Sequence, residues 1–183
     1  MILEHWGATG DEISGAMPGD DLVPGATMIA TRSITLDAPP EQVFPWLRQM
    51  GFGRAGWYSH DLIDNLGRRS ARRIHPEWQD VQAGDPVPGG PLGFTAAIVD
   101  PPTAFVLTLI NARIGFTLAY DLRPDRRGTR LVTRVRARID APGGRMLERF
   151  GLGPGDGIML RRQLLGLAER VSAVQAVVSR NDR

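Results

Sequence analysis

The clearest pattern in the chain is an alternation. Between Thr129 and Ile139, the positions Leu131, Thr133, Val135, Ala137 and Ile139 interleave with Arg130, Val132, Arg134, Arg136 and Arg138. Successive side chains of an extended strand point to opposite faces, so this period of two predicts a strand with one apolar face and one wet, arginine-bearing face. The loop "RPDRRG" before it reads as a hairpin connection, with Gly128 supplying a positive φ. Upstream, "FTAAIVD", "AFVLTLI" and "IGFTLAYDL" are β-rich runs separated by "PPT" and "NAR". "MIATRSITL" at 28–36 predicts a first strand, and a very short one fits Gly84–Val87. The period changes at the C-terminal end. Leu160, Leu164, Leu167, Val171, Val174 and Val178 step by four and three, with Arg161, Arg162, Gln163, Glu169 and Arg170 off the stripe. This spacing predicts a long amphipathic helix from about Pro154 to Val178, whose stripe must bury against the apolar face of the strands.

Two shorter helices fit between the first strand and the meander. "DAPPEQVFPWLRQMG" reads as a helix capped by Asp37, with prolines in its first turn and Gly51 ending it; Val43, Leu47 and Met50 share one face. Tyr58 to Leu66 reads as a second, with Ser59 as cap and Gly67 just past its end. The first 26 residues, rich in Gly, Asp and Pro, read as an irregular arm, laid over the domain or mobile, ahead of a single domain over 27–183.

Composition removes whole classes of chemistry. The 183 residues contain no lysine and no cysteine, so all 22 basic residues are arginine. That excludes a Schiff-base lysine, a Walker lysine, a thiolate nucleophile, a thiolate metal site and a disulfide. Although the isoelectric point is 9.9, the net charge is only +2, because almost nothing titrates above neutral pH until the tyrosines do. The high value reports no strong positive field, and no nucleic-acid partner is expected. No run of apolar residues is long enough to span a membrane, and the start of the chain has no secretory h-region, so the expected location is cytoplasmic.

With these elements in order, four segments resemble a known family: "ITLDAPPEQVFPWLRQMG" at 34–51, "GRAGWYSHDLIDNLG" at 53–67, "HPEWQDVQAGDPVP" at 75–88 and "IMLRRQLLGLAER" at 158–170. They are similar to the START-like (SRPBCC) superfamily, in its bacterial polyketide cyclase/dehydrase-like branch. The resemblance implies an α+β helix-grip fold, in which a curved antiparallel sheet wraps around the long C-terminal helix with a cavity between them. It also implies binding of a hydrophobic small molecule, lipid- or polyketide-like, with room for an anionic or carbonyl group, without metal or organic cofactor. Two alternatives are a cyclase/dehydratase acting on a polyketide-like carbonyl substrate, and an interaction module whose cavity is filled by its own side chains. A fold of this breadth does not choose among them, and the oligomeric state is not legible.

The candidate ligand-binding residues are Trp57, Tyr58, Trp78, Phe105, Phe116, Leu118, Tyr120 and Leu164: aromatics near the second helix, inward positions on the strands, and the inner face of the long helix. The competing reading of each is plain core packing. His60, Asp64 and Tyr120 are the candidates for proton transfer, provided they face the cavity. His60 and Asp64 are four apart and would share a helical face; with His75 they would make a two-histidine, one-carboxylate set. That spacing matches no established metal motif, so no metal site is expected. The arginine clusters Arg68, Arg69, Arg72, Arg73 and Arg126, Arg127, Arg130 read as solvated surface or as contacts to an anionic group.

Overall fold

A computed structural model describes residues 4–90, 93–147 and 153–181. Six antiparallel strands form one sheet in the order β1-β6-β5-β4-β3-β2, where β1 is Met28–Leu36, β2 Pro86–Val87, β3 Phe94–Asp100, β4 Ala104–Ile110, β5 Ile114–Asp125 and β6 Gly128–Ile139. The helices are α1 (Gly10–Ser14), α2 (Pro40–Arg48), α3 (Asp61–Asp64), α4 (Gly144–Leu147) and α5 (Gly153–Asn181). The curved sheet, the helices after its first strand and the long α5 make a helix-grip fold. β2, with two residues, is the short strand foreseen near Val87. No helix among the described residues is long and apolar enough to cross a membrane.

The chain closes on itself through β6, which pairs with β5 on one side and with the first strand, β1, on the other. The β5–β6 hairpin turns at Gly128, whose φ of 135° leaves no place for a side chain: a Cβ there would sit 2.5 Å from the Leu36 carbonyl oxygen. The inner face of the sheet contributes Phe105, Leu107, Leu118, Tyr120, Leu122, Leu131 and Val135 to the main core, which α2 completes with Val43, Leu47 and Met50 and α5 with Leu160, Leu164, Leu167 and Val171. Leu164 and Leu167 are fully buried; each such side chain contributes about 1.5–3 kcal/mol of hydrophobic burial. The stripe ends there: Val174 is 40% exposed, and the side chain of Val178 lies outside the described residues.

The outer face departs from expectation. It is not wet along β6, because the N-terminal arm lies across it. Met17 packs with Val106, Ala119 and Val132 in a second apolar cluster. Arg134, 3% exposed, donates to the carbonyls of Glu12, Ile13 and Gly15, to Thr31 Oγ1 and to Asp20. Arg130 forms a two-point ion pair with Glu12 at 2.7 and 2.8 Å. The arm is held by α1 as well, with a complete capping box between Thr9 and Glu12. Arginine alternation thus encodes a polar seam under a strap of chain, a contact at long sequence separation that period alone does not reveal.

Local caps also differ. α2 begins after Pro39 without a side-chain cap, so Asp37 does not cap it; the fixed φ of the two prolines suits the first turn instead. α3 is one turn long, preceded by His60, and Ser59 does not cap it, because its hydroxyl donates to the Met159 carbonyl of α5 at 2.8 Å. Tyr58 and Leu66, on either side of α3, both take positive φ (59° and 50°), so the turn is bracketed by two left-handed residues and cannot extend into the longer helix its sequence suggests.

Candidate functional site

The segment from Trp57 to Asp64 packs onto α5 with two anchors near the middle of the helix. The first is close backbone approach at Gly166, where any Cβ would land on the Tyr58 carbonyl oxygen. The second is Arg170, which stacks its guanidinium 4.5 Å from the Tyr58 ring centroid and donates to the Ala71 carbonyl at 2.7 Å. Asp61 ties the far end back by accepting from the Ser70 N–H and hydroxyl. Between this segment, the sheet and α5 lies an open cleft of about 210 Å³, lined by Trp57, Ser59, Asp64, Gly89, Phe94, Leu118, Met159, Leu160 and Gln163.

Its walls are mainly apolar. Trp57 and Phe94 meet edge to face with ring centroids 5.6 Å apart, and Phe116 backs Phe94 at 5.9 Å. Three polar side chains interrupt this lining. Gln163, buried in α5, accepts from the Tyr120 hydroxyl at 2.8 Å and turns its amide N–H toward the Met50 sulfur. Ser59 uses its proton on Met159. Asp64 is different: both carboxylate oxygens are buried and neither completes a hydrogen bond among the described residues. Burial pushes its carboxyl above the usual range, the Asp61 carboxylate adds to that, and the backbone N–H groups of Asp64 and His60 and the His60 ring oppose it more weakly.

The residues singled out in the sequence divide accordingly. Trp57, Leu118 and Asp64 line the cleft together. Phe116 stands behind Phe94. Phe105, Tyr120 and Leu164 are fully buried in the packed core instead, Phe105 edge to face with Phe44 and stacked with Tyr120, because the inner strand face nearest α5 is filled by the helix stripe. Tyr58 is core too: its hydroxyl donates to the Trp46 carbonyl and accepts from Gln49, and burial raises it far above the ordinary phenol range. Trp78 stacks on His75 at 4.4 Å, and His75 bonds to Glu77, away from the cleft lining. His75 therefore does not join His60 and Asp64, and among the described residues no three His, Asp or Glu side chains are placed to hold a metal ion.

Sequence reading did not single out Gln163, Met159, Leu160, Phe94, Ser59 or Gly89 as lining residues. For Gln163 a signal existed: it lies three residues after Leu160 and four before Leu167, inside the stripe by spacing, and its polarity hid it. Ser59 and Met159 reach the cleft through their own loop-to-helix contact, which nothing in the local sequence announces.

No protein-family model matches the sequence, and no curated protein does. Similarity appears in solved structures. The chain is similar to the crystal structure of protein NE0264 from Nitrosomonas europaea (13% identity, TM-score 0.54, covering 81% of this chain and 97% of that one). It is also similar to protein MLL2253 from Mesorhizobium loti (15%, 0.50, covering 80% and 98%) and to the solution structure of the KanY protein (11%, 0.53, covering 79% and 97%). At these identities the likeness is one of fold, and it joins the six-stranded curved sheet and the gripped α5 seen above: the chain carries the helix-grip fold.

Proposed function

We propose that the protein binds a small hydrophobic molecule in the cleft between α5, the sheet and the Trp57–Asp64 segment. The observation that carries this reading is the cleft's lining: Trp57, Phe94, Leu118, Met159 and Leu160 turn apolar surface toward an open space of about 210 Å³. Ligand sites are typically such concavities, mostly apolar with a few polar groups that fix orientation. The volume lies below the ~300–1,000 Å³ of sites for drug-sized molecules. The occupant is therefore compact, or it seats one end in the cleft and leaves the remainder at the open side. An interaction module with a wholly filled interior fits this less well, because the space is present. Native mass spectrometry of the purified protein, followed by solvent extraction, tests the reading. A ligand-sized mass excess that is lost in Met159→Trp, which fills the cleft, supports it. A mass excess retained in that variant sinks it.

One observation favours an enzyme as the second reading. A carboxyl group at the wall of an apolar cleft, pushed up by burial, is the environment that suits a general acid or base. In a cyclase or dehydratase acting on a carbonyl compound, Asp64 would move the proton while Trp57 and Leu118 held the chain in a folded conformation. Turnover of small ketone substrates that is lost in Asp64→Asn, with binding retained, would select this reading over binding alone.

A further inference from the structure

The polar side chains of the residues that line the cleft are unbalanced. Ser59 Oγ spends its only proton on the Met159 carbonyl, so what it has left is lone pairs. Gln163 directs its amide nitrogen to Met50 Sδ at 3.5 Å and holds its oxygen, which has a second lone pair, against the Tyr120 hydroxyl. Both Asp64 oxygens lie buried without a completed hydrogen bond. Among the described residues no arginine lines the cleft, and the charged or titratable groups that act on Asp64 are the Asp61 carboxylate and the His60 ring. The Asp61 carboxylate is already satisfied by Ser70. Beside these acceptors stand the faces and edges of Trp57 and Phe94.

We propose that the cleft selects a small apolar molecule bearing a protonated amine, with the ammonium seated on the Asp64 carboxylate, the Ser59 hydroxyl oxygen and the Gln163 amide oxygen, and its apolar body between Trp57, Phe94 and Leu118. A primary ammonium brings three N–H donors and no acceptor, which is the complement of this set. Its charge meets a carboxylate in a poorly solvated place, where an uncompensated acid is costly and a charge-assisted hydrogen bond is strong. Aromatic walls attract a cation further through their ring quadrupoles. The same ledger disfavours the anionic ligand that the sequence suggests, because its charge would meet the Asp64 carboxylate and the donor left on these three side chains is the second amide N–H of Gln163. The burial that lifts the Asp64 carboxyl is the reason a cation is wanted there: it restores the ionised form.

This inference rests on the cleft being a binding site, and the test separates the two. Affinities of benzylammonium, benzyl alcohol and benzoate are measured by ligand-observed NMR near neutral pH for the wild type, for Asp64→Asn and for Met159→Trp. The expected order is benzylammonium at least tenfold tighter than benzyl alcohol, with benzoate weakest. Asp64→Asn lowers benzylammonium affinity tenfold or more and leaves benzyl alcohol within about threefold, which also reports that the variant is folded. Met159→Trp abolishes binding of all three. Equal binding of the amine and the alcohol, or preference for benzoate, overturns the ammonium assignment and leaves the cleft reading standing. Failure of all three probes on the wild type, or binding untouched by Met159→Trp, overturns both.

Discussion

Replacing Glu12 with glutamine probes how the arm is held to the sheet. The Glu12 carboxylate accepts from Arg130 Nε and Nη2, from the Ser33 hydroxyl and from the Thr9 N–H, and is only 7% exposed. The Arg130 guanidinium, foremost among these contacts, holds its carboxyl at about 2 against an ordinary 4.5. At ~1.4 kcal/mol per pH unit, that depression sets a ceiling of ~3 kcal/mol on the stabilisation. The Arg130 side chain keeps 23% of its surface in water, so solvent screening reduces the figure to about 1–2 kcal/mol. The sign follows from a depressed folded-state value: the contribution is complete above the unfolded carboxyl's range and is lost as pH falls from about 5 to about 2. Urea unfolding of the wild type and of Glu12→Gln near pH 7 should therefore differ by about 1–2 kcal/mol, with the variant's Tm lower by roughly 2–4 °C per kcal/mol. Near pH 3 the gap should shrink to roughly half. A gap that is absent at pH 7, or that has the same size at both pH values, would refute the reasoning and mean that the arm is held without this ion pair.

Further substitutions test other joints. Gly166→Ala places a Cβ on the Tyr58 carbonyl oxygen and should cost about 1–3 kcal/mol in chemical denaturation, against the usual gain for a glycine replaced within a helix. Gln163→Leu removes the hydrogen bond that the buried Tyr120 hydroxyl donates to Gln163 and should cost about 1–3 kcal/mol, whereas the double change with Tyr120→Phe should recover much of that loss. Leu62→Ser, at a position 81% exposed on α3, should change stability by less than about 0.5 kcal/mol, which checks that α3 presents this side chain to solvent.

Much of the fold is legible because its elements are periodic. β6 and α5 each repeat their own period for several turns or pleats, and each has one apolar face turned to the main core, so a single pattern gives both element and orientation. The failures share a cause: the deciding contact is distant in sequence. Arg134 reads as a surface residue until Glu12, Ile13, Gly15 and Asp20 are brought over it from more than a hundred residues away. Tyr58 reads as a pocket aromatic until Trp46, Gln49 and Arg170 occupy its hydroxyl and its ring. The cleft is the extreme case. Trp57 and Leu118 could be named in advance as apolar residues near the expected cavity, but the partners that make a site of them, Met159 and Gln163, depend on how the α3 segment meets α5, and that is fixed by a glycine and an arginine of the helix. Polarity misled in both directions: a buried glutamine inside the stripe of α5 looked like surface, and a fully sealed tyrosine looked like chemistry.

The most direct test of the cleft as the binding site is a titration followed by ¹H–¹⁵N correlation NMR, with benzylammonium as probe. Saturable shifts should concentrate at the Trp57 indole N–H, Gly89, Ser59, Asp64 and the Met159–Gln163 turn of α5, the residues that wall the cleft, with the arm and the outer face of the sheet unmoved. Saturable shifts centred elsewhere, or none at millimolar probe, would contradict the account.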